Sequence, residues 1–588
     1  MKILLAVFIC TISACLYSQA PDIVWQKSIG GVKDDYAYAI DVTTDSGLIA
    51  AGISFSNEGD VSGHHGTQYF TDLWVAKLDA IGNLIWQRSL GGLEDDGAHS
   101  VLQTSEGGYL VAGFSQSNSG DVTGHIGEIG YNDCWVVKLS ADGTMEWQRS
   151  LGGTSTDYVH TILETPDGGY IFIGDSYSND YDVSGNHGKS DIWVVKLDST
   201  GDIEWQNSYG GSENEYASSI AQTVDGGYIF SAFAYSNNGD IDLHYGSYMS
   251  ADTWIVKLNA IGEIEWQKIY GGTYSEYTED IIQTADGGYI FIADAQSEDY
   301  DLDMHHGDTF YPDLWVVKIT NSGEIEWQKI IGGDSYDRGF TIKQTTDLHY
   351  IISGETSSVD GDVFGNLGSS DIWMVKISSV GELLWQKCFG GSSSDYRGNI
   401  DIINDSSFVF SGFSYSDDLD VSGNNGGWDF WVGKMGPCTS ELYYADADED
   451  GYGNLSMPIF SCEMPIGYVA DSTDCDDSDD MINPGAEEIV NGLDDNCDEN
   501  IDEGVSITTE FFADIKIFPN PAEELLFIEP MFTDLFDITV YNLEGKLMLY
   551  FQKLQNNNTI NISTLESGLY ILKMESPYTF ENYKFLKQ

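Results

Sequence analysis

The chain has 588 residues, with 25 Lys and Arg against 95 Asp and Glu, which gives a formal net charge of −70. This charge excludes binding to the phosphate backbone of nucleic acids or to an anionic membrane surface, because both need a basic face on the protein. Apolar residues make up 41% and aromatic residues 13% of the chain, which excludes disorder for most of its length.

Residues 1–20 predict a secretory signal peptide, because one lysine precedes an apolar run that ends in small and polar residues. Ser18 and Ala20 suit cleavage near residue 20. A second interpretation remains open, since residues 12–15 are similar to a lipobox, in which Cys15 would carry the lipid. No later segment has 18 consecutive apolar residues, so we expect no transmembrane span.

Seven repeats, spaced by 61 or 58 residues, fill residues 22–436. Each contains a Trp-Gln pair and a second tryptophan that follows an Asp two positions earlier, and these sets account for 14 of the 15 tryptophans. Each repeat also has four short runs of strand character separated by turn signals. Four antiparallel strands repeated seven times predict an all-β, seven-bladed β-propeller over residues 21–437.

The two ends of the repeat array predict how the propeller closes. The array begins with a fourth-strand sequence around Trp25 and ends with a third-strand sequence around Trp431. We therefore expect the N-terminal strand to complete the last blade, which removes an open sheet edge. The stretch LWVAKLDAIGNLIWQRSLGG resembles the strand–turn–Trp repeats of quinoprotein-like and Kelch-like propellers.

The loops after the second and fourth strands of each repeat are expected on one face of the propeller. After the fourth strand, Gly-Gly and three variable residues precede an acid: Asp35, Asp96, Asp157, Glu215, Glu276, Asp337 and Asp395. After the second strand, each repeat has an Asp that we consider a candidate loop-face ligand: Asp60, Asp121, Asp182, Asp240, Asp301, Asp362 and Asp420.

The second-strand loop varies in length together with one of its side chains. The four longer loops carry His64, His125, His244 and His305, and the three shorter ones carry Asn186, Asn366 and Asn424. This coupling favours a structural role within each loop, such as an Asx turn or a side-chain hydrogen bond to the backbone. A calcium site formed by these loops is the sharper alternative.

Residues 438–504 contain 20 acidic residues, no Lys or Arg, and four of the eight cysteines. Asp446-x-Asp448-x-Asp450-Gly matches the first half of an EF-hand loop, in which alternate carboxylates wrap a hard cation. Position 12 of that loop is Met457 rather than Glu, so a helix–loop–helix EF-hand is doubtful. A solvated acidic linker is the plain alternative.

The order DxDxDGYG, CxxPxGYV, DCDD, NPGAEE and NGLDDNCDxxIDEG resembles the MopE-type metal-binding repeat of secreted bacterial proteins. The resemblance implies a calcium-binding, disulfide-containing module whose folding depends on the ion. The oxygen ligands that it implies are Asp446, Asp448, Asp450, Asp474, Asp476, Asp477, Glu487, Asp494, Asp495, Asn496, Asp498, Asp502 and Glu503.

The cysteines of an exported chain are expected in an oxidising environment. Within the module the MopE-type resemblance favours the pairs Cys438–Cys462 and Cys475–Cys497, although four cysteines allow two other pairings. Cys134 and Cys388 lie in blades that are not neighbours, so we expect both to be buried free thiols.

Residues 510–588 predict a small Ig-like β-sandwich, because lysine returns and the strands alternate. The order FPNPA, VYNLEGK and LESGLYILK, followed by a terminal Lys-containing strand, resembles the type A sorting domain of the type IX secretion system. This resemblance implies export across the outer membrane by that machinery, with the cargo attached to the cell surface or released.

Two functions stay open for the propeller, besides a purely structural role at the cell surface. The first is a calcium-binding adhesion protein that binds an extracellular glycan or protein as a monomer. The second is an extracellular hydrolase or a quinoprotein-like enzyme. Carboxylates with raised pKa values in a deep central pocket would favour an enzyme, whereas an aromatic or Asp/Asn-lined face would favour binding. No catalytic residue can be named, because the sequence has no GxSxG, HExxH or CxxCH motif.

Overall fold

The computed structural model describes residues 20–67, 69–247, 249–302, 305–437, 441–448, 450–461, 467–489, 491–498, 500–501, 515–529, 536–554, 559–575 and 580–588. The regular elements of these residues are all β-strands. They fall into two compact units, of which the first runs to Glu441 and also includes Phe460 and Ser461, and the second takes in Leu442–Ile459 and the described residues from 467 onwards. The predicted domain boundaries at residues 437, 504 and 510 stay predictions.

Seven four-stranded antiparallel sheets make up the propeller. The strands of the first half are β1 (Asp22–Ile29), β2 (Asp35–Val42), β3 (Leu48–Ser54), β4 (Asp72–Leu78), β5 (Leu84–Leu90), β6 (Asp96–Gln103), β7 (Tyr109–Ser115), β8 (Asp133–Leu139), β9 (Met145–Leu151), β10 (Asp157–Glu164), β11 (Tyr170–Ser176), β12 (Asp191–Leu197) and β13 (Ile203–Tyr209). The strands of the second half are β14 (Glu215–Gln222), β15 (Tyr228–Ala234), β16 (Asp252–Leu258), β17 (Ile264–Tyr270), β18 (Glu276–Gln283), β19 (Tyr289–Ala295), β20 (Asp313–Ile319), β21 (Ile325–Ile331), β22 (Asp337–Gln344), β23 (Tyr350–Thr356), β24 (Asp371–Ile377), β25 (Leu383–Phe389), β26 (Asp395–Asn404), β27 (Ser407–Ser414) and β28 (Asp429–Gly436).

The predicted closure of the ring is confirmed. Six blades are formed by consecutive strands, from β2–β5 to β22–β25, whereas the seventh has the order β1-β28-β27-β26. β1 pairs antiparallel with β28 along its length, from Asp22 opposite Gly436 to Ile29 opposite Phe430. The sequence-based prediction of an all-β, seven-bladed propeller is therefore correct.

The Trp-Gln pair has a structural role inside each blade. The indole of Trp74 in the third strand is fully buried, and its Nε1 donates to Oε1 of Gln87 in the fourth strand, at 2.9 Å. The same bond crosses the closure, where Trp431 donates to Gln26 at 3.0 Å. A buried Trp needs a partner for its N–H, and the repeated glutamine supplies it.

The tryptophans of the Trp-Gln pairs pack between blades. Trp25, in the closing blade, lies against the hairpin turn at Gly82 of the next blade. Gly82 has a φ of +84°, and a Cβ there would lie 2.7 Å from the Trp25 ring. The turn therefore needs glycine both for its backbone conformation and for the close approach of the indole.

Three smaller sheets follow the propeller in the chain. β29 (Glu441–Ala445), β30 (Pro458–Ser461) and β31 (Tyr468–Val469) form a three-stranded sheet in the acidic module. β32 (Lys516–Phe518), β33 (Leu525–Glu529) and β36 (Thr559–Asn561) form a second, and β35 (Leu547–Leu554), β34 (Phe536–Asn542), β37 (Gly568–Glu575) and β38 (Phe580–Lys587) form a third. Side chains from the second and third sheets, including Leu526, Val540 and Leu572, share one core, as expected of a small sandwich.

The cysteines follow the sequence-based expectation where the structure describes them. Cys475 and Cys497 form a disulfide across 22 residues. Cys134 and Cys388 are buried free thiols, and burial raises the pKa of Cys388 to about 12. The predicted partners Cys438 and Cys462 lie outside the described residues.

Candidate metal centre and propeller channel

Two acidic segments of the module, distant in sequence, meet at one point. Asp446, Asp448 and Asp450 come from the first segment, and Asp474 and Asp477 come from the second. We call these five residues the Asp446–Asp477 cluster. Carboxylate oxygens lie within 4.8 Å of one another in two overlapping groups of three, which share Asp448. This spacing suits oxygen ligands around one or two cations.

The cluster directs free oxygens towards a common space. One oxygen of Asp446 accepts a hydrogen bond from Gly451 N at 3.2 Å, and one of Asp450 accepts from Tyr452 N at 2.8 Å. The remaining buried oxygens have no hydrogen-bond partner among the described residues: Oδ1 of Asp446 and Oδ2 of Asp448, Asp450 and Asp474. Burial, followed by the neighbouring charge of Asp450, raises the pKa of Asp448. A cation would satisfy these oxygens and remove their mutual repulsion.

Among the residues that the structure describes, the other ligands implied by the MopE-type resemblance are not part of this cluster. Asp495 is 2% exposed and accepts from Ile489 N and Asn491 Nδ2, so it braces its own turn. Among the rest, Asp476, Glu487 and Asp498 are exposed, Asp494 and Asn496 are half-buried, and Asp502 and Glu503 lie outside the described residues.

The candidate loop-face ligands of the propeller each pair with a glycine after a fourth strand. Asp240 N donates to Gly210 O at 2.9 Å, and Gly210 N donates back to Asp240 Oδ2 at 3.1 Å. The donation from the Asp backbone recurs in all seven repeats, at Asp60, Asp121, Asp182, Asp240, Asp301, Asp362 and Asp420. These residues therefore fix the loop to the preceding blade, and any role as ligands stays a prediction.

The coupled His and Asn residues bond within their own loops. Asn186 accepts from Gly188 N at 2.9 Å, which is an Asx turn, and donates to Ser176 O at 2.9 Å. His244 contacts Ser250 O through Nε2 at 3.0 Å. These contacts support the structural interpretation of the length coupling.

The acid at the start of each innermost strand is buried and accepts hydrogen bonds. These acids follow a pattern that the sequence analysis did not predict. Asp35 accepts from Gly31 N at 2.8 Å and from the hydroxyl of Ser54, whose oxygen in turn accepts from Ser56 N. Blades that open with Glu have Ala instead of Ser or Thr at the position of Ser54. The extra methylene of Glu215 lets its carboxylate accept directly from Ser236 N, at 3.0 Å. Comparing the repeats position by position would have shown this exchange.

The innermost strands of all seven blades line a central cavity of about 800 Å³. One side chain from each strand contributes to its wall: Tyr38, His99, His160, Ser218, Glu279, Phe340 and Asn399. The stacked rings of His99 and His160 are 5.7 Å apart, and His160 Nε2 lies 2.8 Å from Asp175 Oδ2. The channel wall therefore carries both polar and aromatic side chains.

Aromatic side chains cluster at the end of the channel that carries the long loops. Trp428 stacks on Tyr396 at 5.3 Å and contacts Phe413 at 5.4 Å and Tyr415 at 5.3 Å, while Tyr36 lies edge-on to Phe413 at 4.9 Å. We call these five residues the aromatic mouth patch. Tyr415 is 55% exposed, so the patch presents a ring to solvent. Trp428 is the one tryptophan outside the repeat pattern.

An ion-pair network lies in the fifth and sixth blades. Arg338 Nε lies 2.5 Å from Asp294 Oδ2, and its Nη2 lies 3.0 Å from Glu279 Oε1. Burial, followed by the charge of Asp294, raises the pKa of Glu279. Asp294 takes a position that holds Phe or Ile in four other blades, which is a signal that a comparison of the repeats could have found.

Arg397 enters the channel through a local change in the seventh blade. The equivalent positions of the other blades hold smaller residues, such as Ala37 and Gly339. Arg397 has a φ of +57°, and its guanidinium lies over Tyr38 at 4.9 Å and over Phe340 at 5.6 Å. Its Nε has no hydrogen-bond partner among the described residues. A left-handed conformation in a non-glycine residue has an energetic cost, and such residues cluster at functional sites.

Comparisons with known proteins support two of the resemblances. Residues 516–588 match a family described as a secretion system C-terminal sorting domain, and residues 474–503 match a putative metal-binding motif. A search of curated proteins found no match.

Solved structures show distant similarity. Puromycin hydrolase is 10% identical over 67% of this chain, with a TM-score of 0.38, and the match spans about half of the hydrolase (53%). A putative gluconolactonase is 12% identical over 57% of this chain and 88% of its own, with a TM-score of 0.29. A Synechocystis apocarotenoid oxygenase is 11% identical over 70% of this chain and 97% of its own, with a TM-score of 0.33. These scores carry no argument about function.

The described residues contain no helix that is long and apolar enough to cross a membrane. The sorting domain indicates that the protein is exported, because it matches the family of secretion system C-terminal sorting domains. The protein is a type IX secretion cargo that reaches the cell surface or the medium and carries a propeller and a metal-binding motif.

Proposed function

We propose that the propeller binds an extracellular glycan at the channel mouth, and that the acidic module folds around calcium between the propeller and the sorting domain. The aromatic mouth patch carries the first proposal. Sugar rings present C–H faces that pack on aromatic rings, and the exposed ring of Tyr415 beside Trp428 offers such a platform.

The channel below the patch supports the same ligand class. Arg397 offers an unpartnered donor, and the carboxylates of Glu279 and Asp294 offer acceptors. A sugar has both donors and acceptors on each hydroxyl, so it can complement such a wall. Calcium is proposed for the module because its clustered ligands are all carboxylate oxygens.

A glycan array probed with the full mature protein tests the binding proposal, followed by calorimetric titration of any ligand that it identifies. We expect Trp428→Ala to weaken binding about tenfold or more, because loss of a central aromatic contact costs at least about 1.4 kcal/mol. Tyr181→Ala is the matched control, since Tyr181 is exposed but outside the patch. Unchanged affinity in Trp428→Ala, or equal losses in both variants, would contradict the assigned site.

An extracellular hydrolase is the second candidate, and one observation favours it. Glu279 is a channel carboxylate whose pKa is raised, as expected of a general acid. Turnover of a glycan that binds the mouth, abolished in Glu279→Gln with binding retained, would establish the enzyme. Binding without turnover would contradict the hydrolase and leave glycan binding as the remaining candidate function.

A further inference from the structure

Fourteen carboxylates lie buried at the seven interfaces between blades. Each is at most 1% exposed. One set comes from the start of the third strands: Asp72, Asp133, Asp191, Asp252, Asp313, Asp371 and Asp429. The other set comes from the start of the next innermost strands: Asp96, Asp157, Glu215, Glu276, Asp337, Asp395 and Asp35. The interfaces therefore repeat one arrangement around the whole ring.

The interface between the fourth and fifth blades shows the geometry. Asp252 and Glu276 approach the same side of Gly271, where a Cβ would lie 2.5 Å from Asp252 Oδ1 and 2.8 Å from Glu276 Oε2. Gly271 N also donates to Asp301 Oδ2 at 3.1 Å. A side chain at Gly271 would fill the space, so glycine keeps a small cradle open between two carboxylates, with Asp301 beside it.

The same oxygen lacks a partner in almost every interface. Oδ2 of Asp252 accepts from Tyr245 N at 2.5 Å, but its Oδ1 is buried with no hydrogen-bond partner among the described residues. The corresponding oxygens without a partner are Oδ1 of Asp72, Asp133, Asp191, Asp252, Asp313 and Asp429. A buried acceptor left without a partner is costly, and six repetitions make chance a poor explanation.

Lysine and arginine do not neutralise these pairs. In the described part of the chain, the ion pairs of these fourteen acids involve histidine and no Lys or Arg. Two ionised carboxylates in a dry interface need an opposite charge.

We propose that each blade interface binds a divalent cation of the calcium type between its two buried carboxylates. The buried pair supplies two oxygens, and the loop Asp at the edge, such as Asp301, lies at the solvent side of the site. Oxygen donors alone, with no thiolate, favour a hard cation. The loop residues predicted from sequence are thus the outer part of a site whose inner part is the buried pair.

The test measures how many calcium ions the full chain binds. The chain carries Asp446→Asn, Asp448→Asn and Asp450→Asn, which remove carboxylate ligands from the module; we call it the module-silenced chain. Equilibrium dialysis of metal-stripped protein at neutral pH should show up to seven ions per chain, one for each interface. Asp252→Asn should lower the count by one. Asp79→Asn, in an exposed turn, is the control and should leave the count unchanged.

A second measurement keeps the proposal testable if Asp252→Asn does not fold. Calcium should raise the melting temperature of the propeller in the module-silenced chain, relative to the same chain in chelator. No bound calcium in that chain would overturn the proposal. A melting temperature that responds to acid but not to calcium would also overturn it, because protons would then neutralise the pairs.

Discussion

The propeller and the acidic module both concentrate carboxylates, but they hold them in opposite ways. In the propeller, fourteen acids are fully buried in sheets whose cores contain a tryptophan in every blade. In the module, the Asp446–Asp477 cluster sits on loops, and Tyr443 and Ile482 are the buried apolar side chains among its described residues. We therefore expect the propeller to fold first and to neutralise its acids afterwards, and we expect the module to need its cation in order to fold.

Calcium removal should separate the two regions most clearly. In chelator we expect the module to lose all protection of its backbone amides, because its clustered carboxylates then repel one another, while the propeller strands stay protected. Hydrogen exchange followed by mass spectrometry of the full chain measures both regions at once. Magnesium at the same concentration is the control. Protected module amides in chelator would show that the disulfide and the short sheet suffice.

The stability of the propeller in chelator should depend on pH, which gives a second way to distinguish its buried acids from those of the module. Burial raises the pKa of Asp252 and of Asp313 to about 8 and that of Asp96 to about 7. Folded propeller then holds more protons than unfolded chain, so its free energy of unfolding falls as the pH rises from about 4 to about 8. Each pKa unit is worth about 1.4 kcal/mol per group. Thermal melts across this range test the sign, and a propeller that gains stability with rising pH would contradict it.

Removal of one buried tryptophan tests how far the propeller depends on its apolar core. Trp315→Ala should lower the free energy of unfolding by about 3–5 kcal/mol, because it leaves a large cavity and strands the amide of Gln328. The melting transition of the propeller should fall, while calcium binding by the module stays unchanged. Trp315→Phe is the milder comparison, since it keeps most of the volume and loses the hydrogen bond. A loss below about 1 kcal/mol in Trp315→Ala would contradict the assigned role.

The smallest expected effect concerns the acid that opens each innermost strand and the residue that faces it in the second strand. Some blades combine Glu with Ala, and the others combine Asp with Ser or Thr. Glu215→Asp shortens the carboxylate and leaves Ser236 N without its acceptor, which should cost about 1–3 kcal/mol. Adding Ala234→Ser should restore most of this loss, because the hydroxyl bridges the gap as Ser54 does beside Asp35. A double-mutant cycle on melting curves measures the coupling, and additive effects would contradict it.

The sequence predicts the propeller well because the same pattern of four strands occurs in seven repeats. The tryptophan spacing and the fourth-strand character of the segment around Trp25 were enough to predict the ring and its closure. The disulfide between Cys475 and Cys497 was also predicted, from a resemblance rather than from geometry. In each case the signal is local in sequence or repeated along it.

The channel could not be predicted in the same way. Arg397 and Trp428 matter because they depart from the repeat, and a pattern search discards such departures. The buried acid pairs were recognised only as spacing markers, since their meaning depends on which blade lies next to which. Tertiary neighbours, rather than the residues themselves, determine both sites.

The pairing of β1 with β28 also sets an order of events. The N-terminal strand of the propeller finds its partner more than 400 residues later in the chain. At about 5–20 residues per second, β1 waits roughly 20–80 s before β28 exists. During that time its edge is unpaired and prone to join a strand of another molecule. Export in an unfolded or chaperone-held state would therefore do more than carry the chain outward, because it would postpone ring formation until both ends are present.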